Sequence, residues 1–189
     1  SKKNIPRMVE KCIDRNRYDL SVEYTAYAGH ATEIATSAVE KDYDVVVAVG
    51  GDGTINEVAR ALVHTKTSLG VIPCGSGNGF ARHIGIPMDV KKAIDFINKA
   101  EHTKIDYGKL NDIPFFCACG VGFDALVSND FAKGNTRGLA SYVQKTLIDW
   151  VNYKPEVYEV VVDSVKKKYK AFLIACGNAS QYGNNAYIT

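Results

Sequence analysis

Two glycine-rich turns, each directly after a short apolar run, constrain this chain more than any other feature. Eight of its 16 glycines fall between Gly50 and Gly85. The first turn lies in VVVAVGGDGTINEVARAL (45–62), the second in VIPCGSGNGFARHIGIP (71–87). Continuous apolar runs such as DVVVAV (44–49) and LGVIP (69–73) read as parallel strands buried on both faces. Glycines at Gly50-Gly51-Asp52-Gly53 let the backbone turn sharply and approach a ligand closely. A helix starting at Thr54 offers unpaired N–H groups and partial positive charge, which suit a phosphate. Thr54 and Glu57 also match a capping box, the local alternative for both. That alternative leaves Asp52 unexplained. An acid at the mouth of a phosphate loop needs a metal, a substrate hydroxyl or a basic partner.

Gly75, Gly77 and Gly79 around Ser76 and Asn78 make the second tight loop, and Arg82 and His83 follow it. Those two either cap the loop or reach a phosphate. One Gly-x-Gly is weak evidence. Two on consecutive parallel strands would sit together beyond the carboxyl ends of the strands, where open α/β sheets bind ligands.

The flanking segments support an α/β arrangement with a mainly parallel sheet. Ile5, Met8, Val9, Cys12 and Ile13 recur at helical spacing, as do Ala31, Ile34, Ala35, Ala38 and Val39, and Ile55, Val58, Ala59, Leu62 and Val63. Asp89 caps a further helix over Val90, Ala93, Ile94 and Ile97. LSVEYTAY (20–27), β-branched and aromatic, reads as a strand. Opening on a helix, the pattern suggests a strand upstream of Ser1. After about residue 101 it becomes α+β. TKIDYGKLN and IPFFCACGVGF are strand-like, 138–152 is helical, and EVYEVVVD and KKYKAFLIACGN form two strands joined by a turn. The expected domains are 1–100, α/β and nucleotide-binding, and 101–189, the start of a β-rich domain.

Composition excludes several classes. Apolar residues are 46% and charged residues 23%, ordinary for a globular chain. No apolar stretch approaches the roughly 20 residues of a spanning helix, and Ser-Lys-Lys-Asn-Ile-Pro has no signal-peptide core behind it. A net charge of +2 does not argue for nucleic acid, but permits an acidic ligand or membrane surface. The five cysteines are odd in number and read as reduced, mostly buried thiols of a cytosolic protein. Cys117 and Cys119 lack a second pair at zinc spacing, so the metal ligands stay open. P-loop, Rossmann dinucleotide, protein-kinase and nucleophile-elbow motifs are absent.

GGDGTINEV followed some twenty residues later by IPCGSGNGFAR resembles the diacylglycerol kinase catalytic domain family, lipid kinases that include sphingosine and ceramide kinases. GHATEIA (29–35), IDYGKLN (105–111) and GVGFDA (120–125) extend the resemblance across essentially the whole chain. It implies an α/β domain like that of NAD kinases, then a β-sandwich lipid-binding domain, with ATP and Mg²⁺ in the cleft between them. It implies that Gly50, Gly51, Asp52, Gly53, Thr54, Ile55 and Asn56 form the phosphate loop, with Glu57 at its edge. Thr25, Gly75, Ser76 and Gly77 complete the ATP contacts. Asp52 is implied as the catalytic carboxylate acting on the lipid hydroxyl, and Asp124 and Arg137 as residues near the lipid and phosphate.

The implied reaction moves the γ-phosphoryl group of ATP to the hydroxyl of diacylglycerol or a similar lipid. A sphingoid-base kinase and a non-catalytic nucleotide module are the alternatives. The implied location is cytoplasmic, transiently at the inner face of the membrane. Three departures stand out. The family's first strand would precede Ser1. Its late Asp-Gly segment, with the base proposed for bacterial diacylglycerol kinases, would follow Thr189. The second loop, Gly75-Ser76-Gly77-Asn78-Gly79, is closer to the sphingosine kinase form. A chain so trimmed would expose sheet edges, and a homodimer or a separate fragment would cover them. Lys166, Lys167, Lys168 and Lys170 read as a solvated turn or a contact for anionic headgroups.

Overall fold

Parallel pairing of two short strands organises the first half. In the computed structural model, which describes residues 4–123, 125, 152–183 and 186–187, β1 (Val45–Gly50) pairs with β2 (Ser68–Pro73) from Val45↔Ser68 to Gly50↔Pro73. Helices α1 (Ile5–Cys12), α2 (His30–Glu40), α3 (Asp52–Leu62), α4 (Gly79–His83) and α5 (Val90–Lys99) surround this pair. Successive strand residues face opposite ways, and β2 shows the consequence. Val71 joins a core made by Ala31 and Ala35 of α2 and Ile55, Val58, Ala59 and Leu62 of α3. Ile72 joins a second core with Ile5 of α1 and Ala93, Ile94 and Ile97 of α5. Val71 and Ile72 are each 1% exposed. β2 is thus covered on both faces, as its apolar run requires, whereas β1 falls short of that expectation: Ala48 is buried but Val49 is 43% exposed.

The four amphipathic helices expected before residue 101 are present, and the helix read over 138–152 lies, Asn152 apart, outside the described residues. Asp89 caps α5 as read, accepting from the Lys92 N–H at 2.9 Å. Two local expectations fail. Residues 20–27 form no strand, and Val22, Tyr24 and Tyr27 are exposed. Strand propensity there reflects side-chain type, but a strand exists only against a partner ladder. Thr54 is not a helix cap either. α3 starts two residues earlier, its N-cap is Gly51, and no side chain caps it.

Beyond α5 come β3 (Gly108–Leu110), β4 (Ile113–Phe115), β5 (Ala118–Gly122), β6 (Glu156–Val162), β7 (Val165–Ala171), β8 (Leu173–Gly177), β9 (Gln181–Gly183) and β10 (Ala186–Tyr187). The hairpins β3–β4 and β6–β7 turn through Asn111-Asp112 and Asp163-Ser164, all four at positive φ. Two-residue loops of that conformation match the right-handed twist of the strands, and Asn and Asp tolerate it best. KKYKAFLIACGN breaks at Phe172 into β7 and β8.

Two units divide the chain, Ser1–Ala118 with Gly177–Thr189, and Cys119–Cys176. In the first, Asn178 fastens the returning segment. Its N–H donates to the Cys117 carbonyl at 2.8 Å, and its side chain donates to the carbonyls of Asp106 at 2.9 Å and Phe116 at 3.1 Å. In the second, Phe123, Tyr153 and Phe172 pack ring to ring, with centroids 4.7 to 5.6 Å apart. The four lysines lie along β7 itself and are exposed. Among the described residues no helix is long and apolar enough to cross a membrane.

Candidate functional site

The two glycine loops meet. β1 ends at Gly50, whose carbonyl accepts from the Cys74 N–H at 2.8 Å. One residue on, a Cβ built on Gly51 would stand 3.1 Å from the Cα of Gly75. Gly50 is needed for another reason, since its Cβ would fall 2.6 Å from the Thr54 side chain. Thr54 therefore folds back over the strand end. Gly53, by contrast, faces open space, with nothing within 4 Å of its Cβ direction.

The second loop is closed by Asn78, 6% exposed and in the left-handed conformation at φ 52°. Its Oδ1 accepts from the Gly75 N–H at 2.9 Å, and its Nδ2 donates to the Gly75 carbonyl at 2.8 Å. Arg82 Nε donates to the Gly77 carbonyl at 3.1 Å, so the capping role read for Arg82 is present. Ser76 is left exposed at the rim.

Asp52 opens α3, where the helix dipole favours a carboxylate. Its Oδ1 accepts from the Phe80 N–H in the first turn of α4 at 3.2 Å. Its partner within the chain is thus a backbone amide of the second loop's helix, none of the three partners the sequence called for. Oδ2 makes no hydrogen bond among the described residues. Cys117 feels this charge. Burial first, and then the negative charge of Asp52, push its thiol up to about 11. Cys117 Sγ donates to the Gln181 carbonyl at 3.2 Å.

Other candidates sit further out. Thr25 is on the exposed segment before α2. Next to it, the Ala26 N–H donates to His30 Nδ1 at 3.0 Å, and His30 stacks on Tyr27 with centroids 4.6 Å apart. Ile55 is core, Asn56 is half-buried, and the Glu57 carbonyl accepts from Thr32 Oγ1 at 3.1 Å. Asp124 and Arg137 lie outside the described residues. The cysteines carry no disulfide and are less buried than expected: four are half-buried and Cys176 is exposed. Sequence reasoning missed Gln181, which is buried and whose carbonyl meets the distant Cys117, and the His83–Ser180 pair, 3.2 Å apart. No local periodicity signals either.

The α3 start carries uncapped N–H groups beside the open face of Gly53 and the rim of the second loop, an arrangement that fits a polyphosphate. A Mg²⁺ ion held largely by phosphate oxygens and water needs only one or two carboxylates. Asp52 Oδ2 fits that need, and no cluster of three metal-ligating side chains occurs among the described residues.

Comparison with known proteins agrees with this geometry. Residues 1–110 match the diacylglycerol kinase catalytic domain, and residues 117–189 the YegS C-terminal NAD kinase beta sandwich-like domain. The chain is 38% identical over 113 residues to a diacylglycerol kinase of Staphylococcus haemolyticus (strain JCSC1435), covering 59% of this chain and 34% of that protein. It is 39% identical over 124 residues to one from Bacillus subtilis (strain 168), covering 64% and 41%. A crystal structure of a diacylglycerol kinase from Bacillus anthracis str. Sterne superposes with TM-score 0.66 at 25% identity, covering 89% of this chain and 56% of that one. The matches span well under half the length of the curated relatives. The expected α/β fold with a β-sandwich-like continuation is therefore borne out, and the chain belongs to the diacylglycerol kinase catalytic domain family.

Proposed function

We propose that this protein is an ATP-dependent lipid kinase, in which α3 and the two glycine loops hold the nucleotide and Asp52 serves the acceptor. The observation that carries this is the apposition of Gly51 and Gly75, which sets two phosphate-approachable backbones side by side. Uncapped amides of α3 would bind phosphate oxygens, and the bare Gly53 lets the phosphates come close. Phosphoryl transfer asks mostly for positioning and charge stabilisation. Mg²⁺, when bound with ATP, would neutralise charge on the phosphates, and Asp52 Oδ2 would hold it or the acceptor hydroxyl.

In the acceptor role Asp52 orients the hydroxyl and takes its proton as the O–P bond forms, with ADP as leaving group. The Phe80 amide fixes the carboxylate for this task. The names of the relatives support diacylglycerol as acceptor. The Gly75-Ser76-Gly77-Asn78-Gly79 loop supports a sphingoid base. Contact with the membrane is supported by Lys166, Lys167, Lys168 and Lys170, exposed along β7. Transfer of labelled γ-phosphate to diacylglycerol or sphinganine in mixed micelles tests the reading. Label recovered in neither lipid contradicts it.

A further inference from the structure

Among the described residues, the buried side-chain atom that lacks a hydrogen-bond partner is Oε1 of Gln181. The residue is 5% exposed and opens β9. Buried amide oxygens are almost always paired, so an orphan marks a place where something else completes the bond. Its surroundings point to the acceptor. The Gln181 carbonyl receives the thiol of Cys117, which is close enough to Asp52 to respond to its charge. β9 packs against α4, whose Phe80 amide holds Asp52. The residue before Gln181 is tied to the far end of the same helix, Ser180 N–H to His83 Nδ1 at 3.2 Å. One short helix thus positions both the carboxylate and the segment carrying the unpaired amide.

We propose that Gln181 is a substrate-positioning and specificity residue whose amide oxygen accepts a hydrogen bond from a second donor on the acceptor's head group. This rests on the reading that Asp52 serves the acceptor hydroxyl. It selects a lipid amino alcohol or diol, with an N–H or O–H beside the phosphorylated hydroxyl. A diacylglycerol offers ester oxygens there, which leave Oε1 unpaired. A site built to receive a donor discriminates against analogues that lack it, because its own polar group then stays buried and unsatisfied.

The test uses protein labelled at glutamine side-chain nitrogen, titrated with a short-chain sphinganine and with a short-chain diacylglycerol. The Gln181 signals are assigned by their loss in Gln181→Met. The expected result is that the sphinganine shifts the Gln181 amide and binds about 10-fold tighter than the diacylglycerol, the worth of one hydrogen bond. In Gln181→Met that preference should shrink to within about 2-fold, with no fall in melting temperature, since no bond of the free protein is lost. Binding of neither lipid, an unmoved Gln181 signal (as when water alone completes the amide), or equal weakening of both lipids would overturn the proposal. Phosphate transfer is measured separately. Selective binding that depends on Gln181, without transfer to either lipid, would remove the kinase reading and the substrate role that rests on it, while upholding the donor-selective contact at Gln181.

Discussion

A Cβ placed on Gly75 would stand 2.6 Å from the Cα of Gly51 and 2.8 Å from Oδ1 of Asn78. The two loops are thus packed backbone to backbone, and neither can gain a methyl group without moving the other. Gly75→Ala should cost about 1–3 kcal/mol, the usual range for overpacking, and should weaken ATP binding as the loops separate. Thermal unfolding with nucleotide titration checks both. An unchanged melting temperature would mean that the loops are not in register as described.

Asn78 closes the second loop through both ends of its amide. Asn78→Ala removes two hydrogen bonds to Gly75 and puts a less tolerant residue at φ 52°. Leaving buried backbone groups unpaired costs about 1–3 kcal/mol. Asn78→Gly keeps the conformation and loses only the bonds, so it should be the milder of the two. Urea unfolding of both variants measures the difference, and an equal loss would show that backbone conformation contributes little.

Asp52→Asn keeps an oxygen for the Phe80 amide and removes the charge. Turnover should fall by about 10²-fold, the lower range for an acid–base group, while ATP affinity changes much less. Near-normal turnover would make Asp52 structural.

The same carboxylate raises the thiol of Cys117, which gives a pH prediction. The folded protein keeps that proton up to about 11, whereas the unfolded chain releases it near 9.0. The native state therefore binds more protons between these values, and this group's contribution to stability is lost as pH rises from 9.0 towards 11. Alkylation of Cys117 at neutral pH should be slower than that of the exposed Cys176. In Asp52→Asn the Cys117 rate should rise at a lower pH, although burial, the larger cause, remains. Mass-spectrometric rates per cysteine decide, and identical profiles with and without the Asp52 charge would contradict the assigned proximity.

What could be read from the sequence was local. Asp89 caps α5 because an aspartate three residues before a free N–H needs nothing distant. The buried strand β2 was legible because covering both sheet faces leaves no polar alternation, as Val71 and Ile72 show. The capping box at Thr54 misled because Gly51 ends the strand and leaves the helix uncapped. LSVEYTAY misled because propensity cannot supply a partner strand. The five residues of α4 are too few to show a period. Gln181 was out of reach altogether, since the contact of its carbonyl with Cys117 spans 64 positions.

The most direct test of the nucleotide site is Gly53→Val, measured by titration calorimetry with Mg-ATP alongside a thermal melt. Nothing lies within 4 Å of the Cβ direction at Gly53, and valine is at least as good a helix former as glycine. The variant should therefore melt at or slightly above the parent temperature, yet bind no ATP, because its branched side chain fills the space the phosphates need. Parent-like ATP affinity in a folded Gly53→Val protein would contradict the account.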